Sequence, residues 1–76
     1  MEQKIIEFFE QSYRRPAGSL SRDTMIREEL GGSSLMMVAV IANIEEEYDV
    51  VFPLAQASAA KTIGEIIDKV KSLSNV

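Results

Sequence analysis

Apolar positions along this chain recur at helical spacing, and they mark out three main segments. Ile5, Ile6, Phe9 and Tyr13 fall on one side of a helix predicted over residues 2–15, with Phe8 on its flank. Arg14 and Arg15 suit its C-terminal end, where cations offset the backbone dipole, and Pro16 and Gly18 stop it. A long connection runs from Pro16 to Ser33, with Leu20, Met25, Ile26 and Leu30 available to pin it to a core. Connections of that length are often functional in small domains. Asp23 to Glu29 is expected to form a turn or two of helix.

A second helix is predicted over residues 34–48, and it is apolar on two sides. Met37, Val40, Ile41, Ile44 and Tyr48 cluster within about 100° of arc, the width of one buried stripe. Asn43, Glu45, Glu46 and Glu47 point elsewhere, which sets the direction of the core. Leu35, Val38, Ala39 and Ala42 are left on the opposite side. An apolar patch rimmed by acids suggests a contact surface, the alternative being that neighbouring segments cover it.

Asp49 to Pro53 reads as an extended link, with Val50 and Phe52 turned inward and Pro53 keeping Phe52 out of helix. The alanine-rich stretch from Leu54 to Lys61 suits a short third helix. The last helix begins with a capping box, Thr62 with Glu65, and carries the stripe Ile63, Ile66, Ile67, Val70 and Leu73. Gly64 in its first turn weakens it slightly. With no strand alternation and no internal repeat, the expected fold is all-α. It is a single domain over residues 1–76, a bundle of three main helices plus a short one, with a long loop between the first two.

Composition narrows the chemistry. The 76 residues include no cysteine and no histidine. Disulfides, thiol nucleophiles and the commonest zinc ligands are therefore absent, and an enzyme would have to run on carboxylates, lysine or serine. The net charge is −4 and the only adjacent basic pair is Arg14-Arg15. Nucleic acid is a poor partner for such a surface. No apolar run approaches the roughly 20 residues of a membrane span, and no basic-then-apolar leader opens the chain. The expectation is a cytoplasmic monomer without membrane contact, and no metal or catalytic residue is assigned.

The remaining feature is Leu30-Gly31-Gly32-Ser33-Ser34-Leu35, set where the second helix begins. Glycines free the backbone, and serines cap helix N-termini. A hydroxyl at the head of a helix with a spare apolar face suggests docking around a modified serine. The plain alternative is an N-cap worth about 1 kcal/mol. Ser33 is a candidate for either role, and the two serines can divide them, with Ser33 capping.

With that segment at a helix start, the chain resembles the acyl carrier protein family, which includes peptidyl carriers and other phosphopantetheine-binding domains. Three landmarks carry the resemblance: Ser34-Leu35 preceded by Leu30-Gly31, the run Ile44-Glu45-Glu46-Glu47-Tyr48-Asp49-Val50-Val51-Phe52-Pro53, and Thr62-Ile63 at the last helix. From Leu30 onward the match needs no gap, and the first helix and long loop fit as well.

The resemblance implies that Ser34 carries 4′-phosphopantetheine. A phosphopantetheinyl transferase would transfer it from coenzyme A, using a magnesium ion held at the interface. Physically, a helix N-terminus favours the anionic phosphodiester, and Gly31 and Gly32 leave room for the enzyme. The reactive thiol would belong to the arm, so the chain needs no cysteine. Acyl- or aminoacyl-loading and elongating enzymes are the implied partners, meeting Leu35, Met36, Val38, Ala39 and Ala42, with Glu45 and Glu46 as polar rim. Glu46 lies nearest the patch and Glu47 nearer the core edge. Val40, Ile41, Ile44, Phe52 and Ile66 could line a space for an acyl chain, which small residues at Ala57, Ala59 and Ala60 would enlarge.

The chain departs from the family's pattern in three places. Ser33 stands where Asp is usual, Met36 and Ala39 stand where acids are common, and the segment after Pro53 is poor in Glu. These departures point to docking that leans on apolar contact more than on salt-sensitive charge, and to a free-standing carrier in a specialised fatty acid, polyketide or nonribosomal peptide pathway. The rival readings are an unmodified carrier-like interaction module and a small enzyme acting through Asp49 or Glu45.

Overall fold

The computed structural model describes residues 1–31 and 34–74. Helix α1 spans Glu2–Ser12, α2 Ser34–Tyr48, α3 Leu54–Ala59 and α4 Ile63–Ser74, and a single π-helical turn occupies Ile26–Leu30. This is the expected all-α bundle. The only strand-like pairing among the described residues is an isolated antiparallel bridge between Met25 and Thr62.

The predicted stripes converge on one core. Ile5 and Phe9 from α1, Val40 and Ile44 from α2, Phe52 from the link, and Ile63, Ile66, Ile67 and Val70 from α4 are all fully buried. Met37 and Ile41 are also buried, and Leu73 and Val50 pack against the cluster. Tyr48 is half-buried, and its hydroxyl donates to the Met1 carbonyl at 3.2 Å. The capping box forms: the Glu65 N–H donates to Thr62 Oγ1 at 3.1 Å. The Glu65 carboxylate reaches one residue further back than the usual pattern and accepts from the Lys61 N–H at 3.1 Å.

Three local expectations are corrected. Helix α1 stops at Ser12, before the arginines. Arg14 adopts a left-handed conformation (φ 56°), its N–H bonds the Gln11 carbonyl, and the Arg15 N–H bonds the Glu10 carbonyl at 2.8 Å. That is a Schellman closure without glycine. Arg15 then reaches across the loop to the Glu29 carbonyl at 3.2 Å, so it ties the connection and does not sit on the α1 dipole. In the connection, the helical turn covers Ile26–Leu30 and not residues 23–29, because Glu29 folds back to accept the Met25 N–H at 2.7 Å. Gly64 does more than weaken its helix. A Cβ there would lie 2.9 Å from the Arg22 carbonyl oxygen, and the Gly64 N–H donates to that oxygen at 2.8 Å.

Polar anchors hold the rest of the connection. Glu10 is buried, and one of its carboxylate oxygens accepts from the N–H groups of Gly18 (2.8 Å) and Leu20 (3.2 Å). Arg22 bridges Glu2 on α1 and Asp68 on α4 at 2.7 and 3.1 Å, and these carboxylates raise its pKa further. The buried Thr24 accepts from the Ser21 N–H, and its carbonyl accepts from Ile63. No buried side-chain polar atom among the described residues lacks a partner. The connection is thus tied to α1 and α4 by polar bonds and pinned to the core by Ile26 and Leu30.

Candidate functional site

Ser34 is the first residue of α2, and its side chain is exposed. Ser33 and Gly32, just before it, lie outside the described residues, as does the expectation that Ser33 caps. Among the described residues the Ser34 hydroxyl has no hydrogen-bond partner. Gly31, three places before Ser34, has a positive φ of 87°, and a Cβ there would meet nothing within 4 Å. The space expected around the serine is present at Gly31, but the glycine is required for its backbone angle and not to avoid crowding.

Beside Ser34 opens a cleft of about 130 Å³ between the π-turn, α2 and α3. Its walls are mainly apolar: Tyr13, Ile26, Met37, Ala57 and Ala60, with Ser58 and Gly31 at the edge. Arg27 is the single charged residue lining it. Burial holds the Tyr13 phenol above its ordinary pKa, so it stays neutral well into the alkaline range. A hydroxyl next to a cation and the first amides of a helix suits an anionic substituent. In this respect the residues present fit an attached phosphodiester.

The outer face of α2 is open to solvent. Leu35 is 78% exposed and Val38 44%, and Ala39 and Ala42 are exposed beside them. No described segment covers the second apolar side of this helix. Met36 differs from these four, being half-buried against the core. The acids also divide. Glu46 and Glu47 are exposed, whereas Glu45 is part-buried and accepts the Phe52 N–H at 2.8 Å, fastening the link to α2.

Two residues missing from the sequence-based set extend this apolar face in composition: Val51, 78% exposed, and Leu54, 41% exposed. Val51 was legible from the alternation that turned Val50 and Phe52 inward. Arg27 was not, because nothing in one dimension brings it to Ser34.

The residues expected to line an acyl space separate into different places. Phe52, Ile66, Ala59 and Ala60 border a cleft of about 290 Å³ on the α3–α4 side, together with Gln56, Glu65 and Lys69. Val40, Ile41 and Ile44 are packed in the core and line neither cleft. Of the three alanines only Ala57 is fully buried, because the six-residue α3 turns Ala59 to solvent. Asp49 is exposed and left-handed (φ 53°) just after α2, and the Glu45 carboxylate is engaged by the Phe52 N–H. No helix among the described residues is long and apolar enough to cross a membrane.

Comparison with known proteins agrees with this geometry. Residues 3–70 match the family model described as a phosphopantetheine attachment site. The chain is 30% identical over 71 residues to an acyl carrier protein of Porphyromonas gingivalis, an alignment covering 93% of this chain and 91% of that one. It is 28% identical to an acyl carrier protein of Rickettsia bellii and 30% identical to one of Rickettsia canadensis, each alignment covering 93% of this chain and 83% of the relative. The cofactor of such domains is covalently attached 4′-phosphopantetheine, and their work requires a phosphopantetheinyl transferase and acyl-handling enzymes. With an exposed serine at the head of α2 and a match over nearly its whole length, the chain belongs to the acyl carrier protein family.

Proposed function

We propose that Ser34 is the attachment residue, and that the chain holds acyl or aminoacyl intermediates as thioesters and presents them to partner enzymes through α2. The observation that carries this reading is the exposed Ser34 hydroxyl at the start of α2, without a hydrogen-bond partner among the described residues, beside a cleft whose only charged lining residue among them is cationic. In the loading step the Ser34 oxygen bonds to the phosphorus that bears pantetheine, and the adenosine bisphosphate half of coenzyme A leaves. The serine proton passes to a base of the transferase, since no carboxylate among the described residues lines the cleft. Once attached, the group supplies the thiol on which cargo is carried, which agrees with a chain that has no cysteine and does no catalysis of its own.

Leu35, Val38, Ala39 and Ala42 form the contact face in this reading, with Glu46 at its rim. Met36 and Glu45 contribute from its edge, each also tied to the body of the bundle. Because the first ten residues of α2 carry no charge, docking should depend less on salt than it would along an acidic helix. That character supports a dedicated carrier in a specialised pathway, acting as a cytoplasmic monomer.

The test is intact mass after incubation with coenzyme A and a broad-specificity transferase. The wild type and Ser33→Ala should gain one phosphopantetheine, and Ser34→Ala should gain none. No gain by the wild type would leave the rival reading, an unmodified interaction module. Gain that persists in Ser34→Ala would move the attachment elsewhere.

A further inference from the structure

We infer that Arg27 is a positioning residue for the attached arm. It bonds the phosphodiester on Ser34 and directs the arm into the trough between the π-turn and α3. This rests on the assignment of Ser34 above. The chain as a whole carries a net charge of −4, yet the cleft at Ser34 is lined by one charge, and it is positive. Glu28 and Glu29, its neighbours in sequence, do not line that cleft, and Glu29 is committed to the Met25 N–H. Arg15 and Arg22 are occupied with the Glu29 carbonyl, Glu2 and Asp68, whereas Arg27 has no hydrogen-bond or ion-pair partner among the described residues. Its side chain is exposed, so it can turn toward an anion without unpacking anything.

The surroundings favour that contact. Tyr13, Ile26, Met37 and Ala57 give the cleft that Arg27 and Ser34 both line a largely apolar wall, so a charge-assisted hydrogen bond between guanidinium and phosphate is the polar contact the cleft offers an anion. A planar guanidinium can offer two parallel N–H groups to two phosphate oxygens. Arg27 and Ala60 also border a second, neighbouring cleft of about 310 Å³, with Met25, Glu28, Ala59 and Lys61. The two clefts therefore share a wall. An arm held at its phosphate by Arg27 is aimed along this trough, on the α3 side of Ser34, and away from the exposed Leu35–Val38 face that partners would occupy.

The experiment is ³¹P NMR on the phosphopantetheinylated protein, with attachment verified by intact mass. In the folded wild type the phosphodiester resonance should be displaced from its position in the same protein unfolded in urea. Arg27→Gln should return it most of the way, and Arg27→Lys should retain part of the displacement. Lys61→Ala, which lines the second cleft but not the one at Ser34, should leave it unchanged. Coincident resonances for wild type and Arg27→Gln would overturn the inference while leaving attachment at Ser34 intact. An equal response to Lys61→Ala would also overturn it, by showing a diffuse field in place of a contact. If the wild type gains no mass, the attachment reading fails and this one with it.

Discussion

The connection before α2 keeps its polar groups occupied. Glu10 holds two of its amides, Arg22 joins it to α1 and α4, and Glu29 and Thr24 accept from its own backbone. The outer face of α2, the link beyond it and the start of α3 do the opposite, leaving Leu35, Val38, Val51 and Leu54 exposed to water. Both regions lie at the surface of the same small bundle. One uses side-chain hydrogen bonds to make an irregular segment rigid, and the other leaves apolar area unpaired on a regular helix. Backbone in a loop must find partners within the fold, whereas a helix satisfies its own backbone and frees its side chains for another molecule.

The largest expected effect comes from the core beneath the second region. Phe52 is fully buried in the link that leads from α2 to α3, and Phe52→Ala should cost roughly 3–5 kcal/mol, measured by urea unfolding. A domain this small has little stability to spare, so the variant should be largely unfolded under mild denaturant. Next is Glu10→Ala. It strands the part-buried amides of Gly18 and Leu20 and should cost about 3 kcal/mol, with amide exchange rising between residues 16 and 31. Unchanged exchange there would mean that the connection is rigid for some other reason.

Gly64→Ala tests the joint between the connection and α4. The added methyl would meet the Arg22 carbonyl at 2.9 Å, and the net cost should be about 1–2 kcal/mol despite alanine's better helix propensity. A stabilised variant would show that this approach is not tight. On the outer face of α2 the expectation reverses. Leu35→Asn with Val38→Asn should change stability by no more than about 0.5 kcal/mol per substitution, while lowering kcat/KM of a partner enzyme about fivefold or more. Loss of stability without loss of turnover would make the exposed face a structural element.

The smallest effect is in alkaline solution. Burial raises the pKa of Tyr13, and burial together with Glu47 raises that of Tyr48. A raised folded-state pKa means that the neutral phenol is favoured in the folded protein. This contribution is complete below the unfolded value of about 10 and is lost as pH rises through the folded value. Urea midpoints should fall as the pH is raised above about 10, less steeply in Tyr13→Phe. Parallel curves for the two proteins would exclude Tyr13 as a contributor.

The stripes on α1, α2 and α4 were legible because each is a local repeat of side chains around a helix, and their positions alone set which face is buried. The same holds for the exposed patch, since residues left over from one stripe must lie elsewhere. The end of α1 was not legible. It depends on Arg14 taking a left-handed conformation that sequence favours in glycine, and on bonds from Arg14 and Arg15 back to the last turn. Nor were the roles of Glu10, Glu45 and Gly64, whose partners lie seven to 42 positions away along the chain.

The sequence by itself determined the all-α bundle, the serine at the head of α2 and the uncharged face that follows it, because these need only helical periodicity and the order of residues. Tertiary structure alone decided that the long connection folds back against α1 and α4, that α3 turns only Ala57 fully inward, and that Arg27 comes beside Ser34. Each of these depends on which surfaces meet when the chain closes, and a one-dimensional pattern carries no such distance.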